Sequence, residues 1–205
     1  VLASAGVVHA GSIGAFLEPG ATAVCRLLRD LAAPDASGRA PLITLDPNIR
    51  PSIVPGRAAA LERFGELAGS AAVVKLSDED AEWLYPGADA DEAADRILRL
   101  GPGLVAVTRG GEGALLATVT ARRSVPGIVV TVADTIGAGD SFMSALIDRL
   151  AALLDGRVPV GLLRDGSALD PAVLAEIGDF AVRAAAITVS RPGADLPTIA
   201  QLTLP

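Results

Sequence analysis

The chain has 205 residues, enough for one domain with a sizeable core. Hydrophobic residues make up 51% and aromatics 3%, so the interior must be built from Ala, Val, Leu and Ile, as in layered α/β proteins. The net charge of −7 argues against a general nucleic-acid or anionic-membrane surface.

Cys25 is the only cysteine, which excludes an intrachain disulfide and fits a reducing cytoplasm. His9 is the only histidine, so no Cys/His zinc cluster is available. No apolar run is long enough to span a bilayer. The first 17 residues are uncharged, but they lack a basic leader and are interrupted by Gly6, Gly11 and Gly14, which speaks against a signal peptide. The chain starts at Val1, not Met, and reads as if something upstream has been cut away.

In chain order, Val7 to Ile13 is a short apolar run ending in glycine, compatible with a buried strand and its exit loop. Val24, Leu27, Leu28 and Leu31 recur at helical spacing. Leu42 to Leu45 is a strand that runs into Asp46-Pro47-Asn48, where proline stops it. Leu61, Phe64 and Ala68 mark a helix face, and Ala71 to Leu76 another buried strand. Ser77 then offers a helix N-cap, with acidic residues in the first turn.

Ala94, Ile97 and Leu98 mark the next helix, and Leu104 to Val107 a strand closed by Thr108-Arg109-Gly110-Gly111. Ala114 to Val119 and Ile128 to Val132 read as later, antiparallel strands. Two long helices follow. The first starts near Gly137, with Phe142, Leu146, Leu150 and Leu153 on one face. The second starts near Pro171, with Val173, Ile177, Phe180, Ala184 and Ile187 on one face. Residues 155–171 between them read as a loop.

Alternating strands and helices predict a parallel sheet covered on both faces, with ligands beyond the carboxyl ends of its strands. Three polar segments, 46–50, 75–80 and 108–113, fall at predicted strand ends, and a fourth, 134–140, precedes a helix.

Asp134-Thr135-Ile136-Gly137-Ala138-Gly139-Asp140 carries the most chemistry. Its small residues let backbone N–H groups approach a ligand, and they open a helix, where unpaired amides and the dipole favour anions. Asp140 falls beside the same hole. An anion cradle next to a carboxylate suits phosphoryl transfer to an alcohol. From spacing alone, an ordinary glycine turn at a helix start explains the segment equally well. Other glycine motifs fit worse. Lys75, the only lysine, lies outside any P-loop pattern. Neither Gly137-Ala138-Gly139 nor Gly111-Glu112-Gly113 is completed to G-x-G-x-x-G, which disfavours an NAD-dependent oxidoreductase. No G-x-S-x-G surrounds Ser141.

Asp134 to Asp140 resembles the D-T-x-G-A-G-D signature of the ribokinase-like (PfkB-type) carbohydrate kinases at every position. Asp46-Pro47-Asn48-Ile49-Arg50 resembles the DPNxR segment of fructokinase-like and ketodeoxygluconate-kinase-like members. Val107 to Gly113 resembles their VTxGxxG nucleotide loop, and Ser190 to Ala194, after the helix containing Phe180 and Ala181, their RPGA loop. These segments occur in family order along the chain.

The resemblance implies a three-layer α-β-α, ribokinase-like (Rossmann-like) fold with a mostly parallel sheet. Residues 1–205 would form a single ATP-binding and catalytic domain, with the usual N-terminal strands and lid missing. It implies an ATP-dependent, fructokinase-like sugar kinase using Mg²⁺, with K⁺ a candidate, and the acidic chain is no obstacle because ATP is held by local amides and magnesium. Asp140 becomes the general base, and the amides of Gly137, Ala138 and Gly139 the anion hole. Thr108, Gly110, Gly111, Gly113, Ser77 and Val182 border ATP, and Asn48 and Arg50 meet substrate or phosphate. Asp134 is a monovalent-cation candidate. Asp80 stands where relatives have Glu and acts, if at all, indirectly on Mg²⁺; Lys75 either meets phosphate or snorkels from a strand end. His9 and Cys25 read as structural, and Trp83 and Tyr85 as packing a helix end.

The partner implied is a small sugar, without nucleic acid or membrane, in the cytoplasm, with a homodimer in the full-length protein. A non-catalytic nucleotide-binding fragment is the competing reading, as are ketodeoxygluconate, ribose or a nucleoside as acceptor.

Overall fold

The structure is a computed structural model that describes residues 5–54 and 56–203. The start of the uncharged opening stretch, residues 1–4, lies outside the described residues. Six strands form one sheet: β1 Val7–Gly11, β2 Leu42–Asp46, β3 Val73–Ser77, β4 Leu104–Thr108, β5 Ala114–Ala117 and β6 Arg122–Val125. They lie side by side in chain order. β1 to β4 are parallel, and β5 and β6 return antiparallel.

The central strands read as continuous apolar runs because both faces are covered. Since strand order never reverses, crossovers of one hand place their helices on one face. α1 Gly20–Ala32, α2 Arg57–Ser70, α3 Asp78–Leu84 and α4 Ala90–Leu98 pack there, against Ile43, Leu45, Val74, Leu76, Val105 and Val107. α5 Ala138–Asp155, α6 Val160–Arg164, α7 Pro171–Val189 and α8 Ile199–Leu202 cover the other face, against Leu42, Val73, Leu104, Ala106 and Leu116. The expected three-layer, mostly parallel architecture is therefore observed.

Local chemistry starts these helices. Ser77 caps α3 in a capping box, its hydroxyl accepting from Asp80 N while the Asp80 carboxylate accepts from Ser77 N. Asp170 accepts from the N–H groups of Ala172 and Val173 ahead of α7, whose first residue is Pro171. No helix among the described residues is long and apolar enough to cross a membrane.

Three expectations are corrected. Residues 128–132 form no strand: after β6, Pro126 and Gly127 break the ladder, and Val129 is 99% exposed. Residues 155–171 are not all loop, because α6 forms and inserts Leu163 into the second core. On α7 the fully buried line runs through Leu174, Ile177, Ala181, Ala184 and Thr188, while Val173, Phe180 and Ile187 are half-buried against the same core, with Phe180 beneath the Arg149 guanidinium. A helix apolar on most sides does not reveal by spacing which stripe is buried.

Candidate functional site

The register places the polar segments together. Gly11 pairs with Asp46, and Ser77 with Thr108, so the carboxyl ends of β1 to β4 form one edge. The 46–50, 75–80 and 108–113 segments leave from that edge.

The 134–140 turn is held against it from the other layer. The N–H groups of Ala133 and Asp134 donate to Val189 O at the end of α7. Asp134 Oδ1 accepts from Ile136 N at 3.0 Å, and Oδ2 from Gly193 N at 3.1 Å. The Ile136 amide, seconded by that of Gly193, holds this carboxyl below the ordinary Asp range. Asp134 thus straps the turn to the 190–194 loop. Each of its oxygens keeps further lone pairs, so a monovalent cation fits only alongside these bonds. Gly137 is the N-cap of α5 at φ 82°, and a Cβ there would fall 2.9 Å from that of Ala194.

Behind the turn, Ser141 on α5 and Thr188 on α7 place their hydroxyls 2.8 Å apart in full burial. Thr188 gives its single proton to Ala184 O, so Ser141 is the donor between the two hydroxyls.

A cleft of about 430 Å³ opens between these segments. One end is lined by Thr108, Gly110, Gly111 and Gly113, the other by Thr135, Ala138 and Gly139. Its apolar wall is Ile128, Val129, Val130 and Val132 facing Phe142, Val182, Ala185 and Val189. At two of its lining glycines backbone packs against backbone. A Cβ on Gly113 would fall 2.1 Å from Val125 O, and one on Gly127 2.1 Å from Gly111 O.

The cleft therefore gathers Thr108, Gly110, Gly111, Gly113, Ala138, Gly139 and Val182 of the sequence-based candidates. Asp140 is exposed in the first turn of α5, next to Gly139. Ser77, Gly137, Asp134, Asp80, Asn48 and Arg50 do not line it. Sequence reasoning missed the 127–132 wall, because a run of Val and Ile between turns reads as strand whether or not a partner is present.

Under the edge lies a buried polar group. Lys75, 4% exposed, bonds Asp46 Oδ2 at 2.9 Å, and Asp46 Oδ1 accepts from Asn48 N. Asp80 accepts from Ile49 N at 2.9 Å as well as from Ser77 N, so its carboxylate anchors the 46–50 loop to α3. Burial pushes the Asp80 carboxyl above the usual range. Arg50 is exposed, and among the described residues its side chain bonds only Ile49 O.

His9 is exposed on β1, with Nδ1 2.9 Å from Thr44 Oγ1. The part of its ring that packs against the protein loses solvent, and this lowers its pKa against the pull of Asp46 and Asp140. Cys25 is buried in the first core, and Trp83 and Tyr85 pack at its edge. Among the described residues no group of three or more His, Cys, Asp or Glu side chains is placed to hold a metal.

Comparisons with known proteins follow the same lines. Residues 2–201 match the model of the pfkB family carbohydrate kinases. A fructokinase of Rhizobium leguminosarum bv. trifolii is 36% identical over 144 residues, which are 70% of this chain and 42% of that protein. Fructokinase-1 of Zea mays is 32% identical over 203 residues, 97% of this chain and 57% of that protein. The crystal structure of a Vibrio cholerae O395 fructokinase with fructose, ADP and calcium bound superposes with a TM-score of 0.75 at 26% identity. It covers 96% of this chain and 59% of that one. The chain spans about half the length of the curated relatives it matches.

Proposed function

The chain belongs to the pfkB family of carbohydrate kinases, and from that premise we propose that it carries the ATP-binding and catalytic part of a fructokinase-like enzyme that phosphorylates a sugar hydroxyl. One observation supports this most: the cleft has the 110–113 glycines and the Ala138-Gly139 turn on its walls, with Asp140 at the next position.

ATP with Mg²⁺ supplies the transferable phosphoryl group. The backbone N–H groups of Gly137, Ala138 and Gly139 open α5, and they and the helix dipole offset the negative charge that grows on that group. Asp140 takes the proton the sugar hydroxyl loses as its oxygen bonds to phosphorus and the bond to the departing diphosphate breaks. Thr108, Gly110, Gly111 and Gly113 border the polar end of the nucleotide. Val182 and the 128–132 wall take its base by apolar contact. Ser77 contributes through the segment it caps, and Asn48 and Arg50 contact substrate or phosphate.

Asp80 acts on Mg²⁺ only indirectly, since its oxygens are committed to backbone N–H groups. Asp134 is the candidate for K⁺. The acceptor proposed first is fructose. The protein is taken to be cytoplasmic, one domain over 1–205, and able to form a homodimer.

A second reading is a nucleotide-binding unit without turnover. A coupled ADP-release assay separates the two. It is run with Mg-ATP against fructose, ribose, ketodeoxygluconate and adenosine, with and without K⁺, on this chain and on any longer reading frame that contains it. Sugar-dependent ADP release is expected. ATP binding without release for every acceptor and both lengths would favour the second reading, and absence of ATP binding would overturn both.

A further inference from the structure

We propose that Thr188 is a positioning residue of this site: through its hydrogen bond with Ser141 it sets where the amides of Gly137, Ala138 and Gly139 stand against the group in transfer. The proposal rests on the nucleotide-binding reading above.

Two successive residues at the end of α7 hold both ends of the glycine turn. Ahead of the turn, Val189 O accepts from Ala133 N at 2.8 Å and from Asp134 N at 3.3 Å. Just after it, Ser141 Oγ lies 2.8 Å from Thr188 Oγ1. Ser141 N donates to Gly137 O at 2.8 Å, the bond that closes the first turn of α5. Residues 134–140 therefore hang between two points on one helix, and the three amides lie within that span.

The remainder of the α5–α7 contact is apolar, through residues such as Leu146, Leu150, Ile177 and Ala181. Such packing excludes water but carries no donor or acceptor direction. The hydroxyl pair adds direction at the one level of the two helices where the turn is attached.

Burying hydroxyls there is costly unless each is paired. Ser141 is 2% exposed and Thr188 0%. The pairing is complete, because Ser141 donates to Thr188 and Thr188 donates to Ala184 O at 3.0 Å. Apolar side chains of like volume would fill the same space without that requirement, so what the pair adds is alignment. Neither residue lines the cleft, whereas Ala138, Gly139 and Phe142 beside Ser141 do. Thr188 thus acts through the turn and touches no ligand.

The test is binding of ADP, and of ADP with aluminium fluoride, Mg²⁺ and fructose, to the unaltered chain, Thr188→Val and Thr188→Ser. Aluminium fluoride stands in for the phosphoryl group in transfer. Valine keeps the shape of threonine and deletes the hydroxyl; serine keeps the hydroxyl. For Thr188→Val the expected result is unchanged affinity for ADP alone and a loss of about 10- to 100-fold for the aluminium fluoride complex, as for misplacement of the hole by up to about 1 Å. Thr188→Ser should restore most of that loss. Thr188→Val leaves the Ser141 hydroxyl buried without its acceptor, so the S141A/T188V double variant, which leaves no hydroxyl unpaired, is measured beside it with the same expectation. Thermal unfolding confirms that at least one of the two folds.

Equal binding of both ligands by the valine variants and the parent overturns the proposal. So does an equal loss for both ligands, which marks the pair as structural, and so does a loss that serine fails to restore. A parent chain that binds ADP but gains nothing from aluminium fluoride has no aligned hole to position; this too overturns the proposal, while leaving the nucleotide site intact. A parent chain that does not bind ADP at all overturns the nucleotide reading itself, and the proposal with it.

Discussion

Toward α1–α4 the strands β1 to β5 bury aliphatic side chains, and only the edge strand β6 adds polar ones, with Arg122 paired to Asp91 and Asp95 of α4. The buried polar residue on that side among the described ones, Asp80, sits at the rim in the α3 capping box. Toward α5–α8 the same strands bury Thr44, Asp46 and Lys75, and the helices opposite bury Ser141 and Thr188. One face is closed by burial of apolar area, which is non-directional and tolerant of detail. The other also buries an apolar core, and adds directional bonds that fix where the 134–140 turn lies. The two faces therefore differ in the polar contacts laid over a common apolar packing, and the proposed chemistry sits with those contacts.

The largest effect is expected on the chemical face. Asp140→Asn should slow sugar-dependent ADP release by about 10²- to 10⁴-fold while leaving ATP binding largely intact. A near-normal kcat would remove Asp140 from its role. On the other face, Phe64→Ala removes a fully buried ring, and a loss of about 3–5 kcal/mol in denaturant unfolding is expected. The fraction that remains folded should still bind nucleotide. Loss of binding in folded protein would show that the faces are not separable.

A smaller effect tests the rim. Ser77→Ala deletes the α3 cap and should cost about 1 kcal/mol. The smallest effect concerns acid. The Asp134 carboxyl is held low by backbone N–H donors, so its contribution is present above the ordinary Asp range and fades as pH falls through its lowered value. The amides of Ile136 and Gly193 should then exchange hydrogen faster, once the intrinsic pH dependence of exchange is removed. Asp134→Ala should reproduce this at neutral pH. Exchange that is indifferent to both would mean the strap carries no load.

Much of this was legible in the sequence because the site is built from local devices. Asp46-Pro47, Ser77 and Thr108 end strands, Gly137 opens a helix, and each leaves a short-range mark. The 128–132 wall left none, since exposure depends on whether a partner strand arrives, and β6 stops at Val125. Lys75 stood between two readings for the same reason. Its burial is decided by Asp46, 29 positions away in sequence, and by the absent side chain at Gly139. On α7 the apolar residues outnumber what one stripe needs: Ile177 and Ala184 fall on the buried line as expected, but only packing decides that Leu174, Ala181 and Thr188 are fully buried and Val173, Phe180 and Ile187 half-buried.

The backbone contact of Gly113 and Gly127 with neighbouring loops has a bearing on how such a protein changes over generations. Mutation at either glycine meets main chain, which cannot yield as a side chain does. Drift is thereby steered to side chains along the cleft wall, such as Val129, Val132 and Val182. Under the nucleotide reading proposed above, a library meant to alter which nucleotide is accepted belongs at those three sites, which can be randomised while the frame around them stays fixed.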